Sequence, residues 1–236
     1  MGLLWSLVTP LLMLAIYTFV FNFVFQARWP SMSQEGGYLN FAMVLFLGLI
    51  IHGLIADTVT RSPTLILENA NLVKKVVFPL EILSWVMLLS SAFNFVISLV
   101  LLFAFVLWEL GSIPATAVWL PVIFLPYFFV LIGMSWIFAS MGVYLRDLQQ
   151  VSGTLSTLFL FMSPVFYSVT ILPVAVQPLI YLNPISFVIE SSRGVLLYGQ
   201  APDLMTLGLY TFVAIAVAFL GHRLFRKMKI GFADVL

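Results

Sequence analysis

A chain of 236 residues that is 63% hydrophobic, only 8% charged and of net charge +1 excludes an ordinary soluble domain. Its mean hydropathy of +1.15 describes a polytopic membrane protein with no room for a separate soluble domain, and a charge this close to zero argues against a nucleic-acid partner. With no cysteine, disulfides, thiolate catalysis and zinc-thiolate sites are excluded, and two histidines far apart argue against a metal site.

A bilayer core about 30 Å thick needs about 20 apolar helical residues to cross it. Six stretches qualify, approximately 3–25, 38–56, 82–108, 117–144, 151–171 and 204–224. The sequence therefore predicts an all-α, polytopic membrane protein with six transmembrane helices in one domain over 1–236, because a lipid-exposed backbone must satisfy its own hydrogen bonds. The first stretch lacks a basic leader and a small-residue cleavage site, so it reads as a span rather than a signal peptide. Pro121, Pro126 and Pro164 fall inside predicted spans and mark kinks or helix ends.

Between the second and third spans, residues 58–80 form the one sizeable polar segment on their side of the membrane. Ser62 before Pro63 reads as a helix N-cap with proline at the first helical position, and Phe78-Pro79 closes the segment. Short apolar clusters mixed with amides and two lysines suit a short helix at the membrane surface; a plain solvated loop is the alternative. Lysine and arginine orient the chain. If the N-terminus is cytoplasmic, the inner segments carry Arg61, Lys74, Lys75, Arg146, Arg223, Arg226, Lys227 and Lys229 and the outer ones Arg28 and Arg193, eight against two. Both termini and the 58–80 segment are thus expected in the cytoplasm, with Trp5, Trp29, Trp108 and Trp119 near span ends.

Asp57, Glu81 and Glu109 read as span-end residues, His52 as a packing or interfacial residue about one turn inside its span, and no acid or base is predicted at mid-depth. That pattern disfavours an ion-coupled carrier. No internal repeat of the inverted kind is evident. On the outer side, 172–203 is too apolar for a solvated loop yet is broken by Pro173, Pro178, Pro184 and Pro202. Asn183-Pro184 divides it into two short helical candidates, about 174–182 and 185–197, so a re-entrant hairpin is expected. Glu190 and Arg193, three apart, are expected to pair and to act as one unit; an interfacial hairpin without a gating role is the alternative.

Several motifs in order resemble one family. Asn71-Leu72-Val73-Lys74-Lys75-Val76-Val77-Phe78-Pro79 followed by Glu81-Ile82-Leu83, then Tyr144-Leu145-Arg146-Asp147, Ser163-Pro164-Val165-Phe166-Tyr167, Asn183-Pro184 and the closing Gly231-Phe232-Ala233-Asp234-Val235-Leu236 resemble the permease subunits of polysaccharide ABC exporters. The likeness runs from Gly2-Leu3-Leu4-Trp5 to the end, and is nearest to exporters of lipid-linked O-antigen, with capsule and teichoic acid exporters as relatives. It implies a homodimer in the bacterial inner membrane that pairs with two copies of a separate ATP-binding cassette subunit, with no cofactor and no enzymatic activity of its own. Consistently, the chain has no Gly-x4-Gly-Lys-Ser/Thr phosphate loop and no Gly-Lys pair.

By the same resemblance, the 58–80 segment contains the coupling helix, with Glu68, Asn71, Leu72, Val73, Lys74, Lys75, Val76 and Phe78 facing the ATPase and Arg146 and Asp147 as a second contact. The 172–203 hairpin corresponds to the outer gate, with Pro164, Tyr167, Asn183, Pro184, Glu190 and Arg193 as its residues. Aromatic side chains are expected to line the sugar channel, though 23 phenylalanines single out none of them. Family members open with an amphipathic cytoplasmic helix ahead of the Gly-x-Leu-Trp motif. Here the sequence starts at Met1, so that helix is expected to be missing, through a misassigned start or a truncation. A membrane-embedded glycosyl- or acyltransferase, the rival class, would need a cluster of acid, base or nucleophile at one membrane face, and only Arg146-Asp147 and Glu190 to Arg193 cluster at all.

Overall fold

The computed structural model describes residues 2–20, 39–75 and 78–235. Arg28, Trp29 and Val76 lie outside the described residues, as do the far end of the first predicted span and the side chains of Val73, Lys74 and Lys75. Among the described residues the chain is helical and has no strand, as apolar segments without a water-facing backbone require. Its helices are α1 (Gly2–Thr18), α2 (Leu39–Arg61), α3 (Leu65–Glu68), α4 (Ala70–Lys75), α5 (Glu81–Leu110), α6 (Leu120–Tyr144), α7 (Leu148–Phe161), α8 (Gln177–Tyr181), α9 (Ser186–Leu197), α10 (Leu204–Lys229) and α11 (Phe232–Val235). Four helical runs among the described residues, Phe41–Glu68, Glu81–Leu110, Ala115–Tyr144 and Leu204–Lys229, are long and apolar enough to cross a membrane.

Two helix ends differ from the sequence reading, and proline decides both. Ser62 is not an N-cap. The helix of α2 runs on through a 3-10 turn at Ser62–Thr64 into α3, with no capping bond from a side chain at either junction. Pro63, which has no N–H to give, occupies that turn and is absorbed there instead of starting a new element. Ser62 is fully buried, its Oγ 3.0 Å from Ser135 Oγ and 3.8 Å from Met87 Sδ. Asp57 accordingly lies within a helix and not at its end, and accepts a 2.8 Å bond from Ser91 Oγ. At the other site, α7 stops at Phe161 after 14 residues, about 21 Å of rise. Pro164 cannot continue it, and the residue before a proline is pushed out of the α region.

The chain divides into two compact units, and each division falls within or beside a helix. One comprises residues 1–52, 93–121 and 161–202. Its core gathers α2, buried all round from Phe41 to Leu47, with Phe95 and Leu102 of α5 and Ile185, Ile189 and Val195 about α9. Thr116 Oγ1 donates to the carbonyl of Val195 at 2.6 Å, fastening the turn before α6 to α9. Gly111, at φ +69°, supplies the left-handed residue that follows α5.

The other comprises residues 53–92, 122–160 and 203–236, with Ile55, Ile66, Leu88, Tyr127 and Phe225 buried at its centre. Asp203 caps α10, accepting from the amides of Met205 and Thr206 at 3.2 Å each. Those bonds hold its carboxyl below the ordinary aspartate range. α6 and α10 meet backbone to backbone: a β-carbon on Gly133 would come within 2.6 Å of the Val217 carbonyl, and one on Gly221 would strike the Gly133 carbonyl. Gly133→Val is therefore expected to lower stability by about 1–3 kcal/mol through overpacking, read as a fall in the thermal midpoint in detergent, whereas Gly208→Ala, with open space at its β-position, leaves the midpoint unchanged.

Candidate functional site

Two groups of the sequence-singled residues are assembled, one in each unit. In the second unit the helical run from α2 delivers α3 and α4 with Glu68 and Asn71 exposed and Leu72 and Phe78 half-buried. Asn69 Nδ2 donates to the Leu65 carbonyl at 2.8 Å and ends α3, and Leu72 N donates to Asn69 O at 2.9 Å to open α4. The seat beneath these helices is rigid. A β-carbon on Gly142 of α6 would collide with the Pro63 carbonyl, so the 3-10 turn lies directly on α6. Trp136 Nε1 donates to the Glu81 carbonyl at 3.2 Å, and Glu81 pairs with Lys229 at 3.0 Å, binding the start of α5 to α6 and α10.

The C-terminal motif completes this end. α11 packs against α4, and Phe232, fully buried, meets Tyr144 at 6.0 Å and Phe225 edge-on at 5.6 Å. Tyr144 Oη donates to the Met228 carbonyl at 2.8 Å, and Gly231 leaves room for it, since a β-carbon there would lie 2.6 Å from the tyrosine Oη. Three separate motifs, Asn71 to Lys75, Tyr144 to Asp147 and Gly231 to Val235, thus meet through α4, α11 and Tyr144. Arg146 and Asp147 form the exposed turn between α6 and α7. Tyr144 and Phe232, not singled out individually from the sequence, hold the group together; their place in the quoted motifs was the only signal.

In the first unit the centre is Arg193, 1% exposed. Its Nε and Nη2 donate to the Val44 carbonyl of α2 at 3.3 and 3.0 Å, Nη2 also to the Val165 carbonyl at 2.9 Å, and Nη1 to the Pro164 carbonyl and to Glu190 Oε1 at 3.2 Å. Those bonds employ all five N–H groups of the guanidinium. Their origin lies in Pro164. Where α7 breaks, the carbonyls of residues 164 and 165 have no helical partner, and a buried carbonyl without one is costly. Gly48 makes room, its missing β-carbon lying 3.1 Å from Arg193 Nη2. Glu190 and Arg193 do pair, but Glu190 is 33% exposed and supplies one acceptor of four. Sequence reading identified the pair and missed the carbonyls, which no side-chain pattern encodes.

The remaining hairpin residues make bonds of their own. Asn183 is buried and its Oδ1 accepts from Ile185 N at 3.2 Å, fixing the Asn183-Pro184 turn between α8 and α9. Tyr167 Oη donates to the Phe161 carbonyl at 3.1 Å. While α9 is mostly buried, α8 exposes Leu179, Tyr181 and, just after it, Leu182 at 52, 52 and 78%.

Neither group offers a nucleophile with an adjacent base, and among the described residues no cluster of His, Asp and Glu could hold a metal. The helices and the two sites define a multi-pass membrane protein. The chain belongs to the ABC-2 type transporter family, whose description matches residues 1–197. It is 29% identical over 240 residues to an O-antigen export system permease protein RfbA of Klebsiella pneumoniae, covering the whole chain and 88% of the relative. Similar relatives of the same name are a second Klebsiella pneumoniae protein, 26% identical over 238 residues, and one from Myxococcus xanthus, 26% identical over 237 residues, each covered to 87% of its length.

Proposed function

We propose that this chain is the membrane-spanning permease subunit of an ATP-driven exporter that moves a lipid-linked, O-antigen-like polysaccharide across the bacterial inner membrane. The observation that carries the reading is similarity along the whole chain to permeases named for O-antigen export, on a fold of the ABC-2 type transporter family. The named relatives favour O-antigen over capsular polysaccharide or teichoic acid. ATP is hydrolysed on a separate subunit, two copies of which dock on a homodimer of this chain through α3, α4 and the Arg146-Asp147 turn. The rigid seat of the 3-10 turn on α6 suits that role, because force applied at α3 reaches two long helices without a flexible joint. The chain crosses six times, α1 and α7 being its short crossings. At the outer mouth, α9 is the fixed part of the gate and α8 its free arm.

Co-purification with an ATP-binding subunit, together with ATP-dependent loss of lipid-linked glycan from the inner leaflet of reconstituted vesicles, tests the function. Glycan transfer to an acceptor without transport would instead establish a transferase.

Orientation is tested separately by single cysteines in this cysteine-free chain. Ser62 is buried and unsuited, but Glu68, Gln149 and Gln200 are exposed. With both termini cytoplasmic, an impermeant thiol reagent applied to intact spheroplasts labels Gln200→Cys and leaves Glu68→Cys and Gln149→Cys silent; the reverse pattern inverts the topology.

A further inference from the structure

We propose that the C-terminal end of α10 binds the phosphate headgroup of an anionic membrane lipid, whose tail lies along the apolar face of the same helix. That face is continuous. Met205, Phe212, Ile215 and Phe219 recur at helical spacing and are 84, 72, 52 and 61% exposed, an apolar face open to lipid on the single chain. The same line of three- and four-residue steps then reaches Arg223 and Arg226, with Lys227 beside them, all exposed. Phe219, His222, Arg223, Arg226 and Lys227 line an open groove of about 440 Å³.

Charge separates these cations from their neighbour. Lys229 is neutralised by Glu81 at 3.0 Å, whereas Arg223, Arg226 and Lys227 make no ion pair with a described residue. His222 adds a ring against Trp136, centroids 4.8 Å apart, and a buried Nδ1 without a hydrogen-bond partner among the described residues. The helix dipole and the cytoplasmic bias of lysine and arginine both place cations at this end, but neither accounts for the groove that joins three cations, unpaired among the described residues, to Phe219. From Phe219 to Arg226 the helix rises about 10 Å, which suits a ligand with its tail beside the rings and its anion at the guanidinium groups. An anionic lipid joins those two chemistries in one molecule; a soluble anion leaves the stripe bare, and a neutral lipid leaves the charges unmatched.

The test is native mass spectrometry of the purified full-length chain titrated with phosphatidylglycerol or phosphatidylcholine. Wild type is expected to retain phosphatidylglycerol preferentially. The variant Arg223→Gln/Arg226→Gln/Lys227→Gln should bind it roughly a hundredfold more weakly, about fivefold per charge, with phosphatidylcholine binding unaltered. Arg223→Lys/Arg226→Lys, which keeps the charges, should hold the lipid within a few fold of wild type. If the triple variant elutes abnormally in gel filtration, Arg226→Gln alone decides, at about fivefold. Equal retention of both lipids by wild type, or of phosphatidylglycerol by wild type and variant, overturns the site. So does displacement of the lipid by equimolar inorganic phosphate, which marks a free-anion site. Loss of a protein partner or of the second copy with lipid binding intact assigns the face to protein instead.

Discussion

Arg193→Ala is expected to remove about 3–5 kcal/mol of stability, the cost of breaking a buried charged network from one side, and to stop export. The guanidinium bonds three main-chain carbonyls from α2 and from the break after α7. Its removal leaves those acceptors buried without donors at about 1–3 kcal/mol each before relaxation. Glu190→Ala deletes one acceptor of the four and leaves the guanidinium its three carbonyls, so it should cost clearly less than Arg193→Ala, while still leaving a buried cation without its counter-charge. The double variant then resembles Arg193→Ala and not Glu190→Ala, which replaces the sequence-based expectation of two equal partners. Arg193→Lys keeps a charge but not a planar fork that reaches several carbonyls, and should recover only part of the loss. Thermal midpoints in detergent and glycan export in cells provide the readings. Equal losses for the two single variants, or a stable and active Arg193→Ala protein, would show that the carbonyls find other donors.

Leu72→Asp is expected to release the ATP-binding subunit and abolish export while leaving the helices inserted. Leu72 is half-buried at the start of α4, so its outward half is available to a partner. Burying a leucine fully is worth about 1.5–3 kcal/mol, so losing even part of that contact and desolvating a carboxylate in its place should weaken association by at least tenfold. A rim charge alters mainly the association rate and its salt dependence, and Lys75→Ala should accordingly be milder. Phe232→Ala provides the contrast. It removes the buried ring under α4 and should cost about 3–5 kcal/mol of stability, so ATPase release there comes with a fallen melting point, whereas in Leu72→Asp it does not. A Leu72→Asp protein that retains its partner and exports normally removes the docking role from α4.

What was legible in the sequence was whatever hydrophobicity alone encodes. Runs of apolar residues specify helices because an apolar environment leaves the backbone no other partner, and the Asn183-Pro184 break between two short helices is a local turn chemistry. Proline's effect on its surroundings was not legible. Ser62-Pro63 has the composition of a helix start, but the fold around Ser135 and Gly142 stabilises passage through it; Pro164 was readable as a kink or a helix end, but not that Arg193, 29 residues away, takes up the carbonyls beyond the break. Both outcomes rest on tertiary partners. The partner of Asp57 was not legible either: Ser91, 34 residues away on α5, donates to it.

The contact between Gly142 and Pro63 places one main chain directly on another, with no side chain between them. Such a joint is asymmetric in mechanics. Under compression it is stiff, because closely packed atoms have nowhere to go; under tension the contact itself offers little, and the nearest specific bond is that of the Ser62 hydroxyl to Ser135, worth about 1 kcal/mol. A load directed from α3 toward α6 is therefore handed on with little loss, while one in the opposite direction parts the surfaces early. On the proposed docking of an ATPase at α3, this contact favours work delivered as a push over work delivered as a pull.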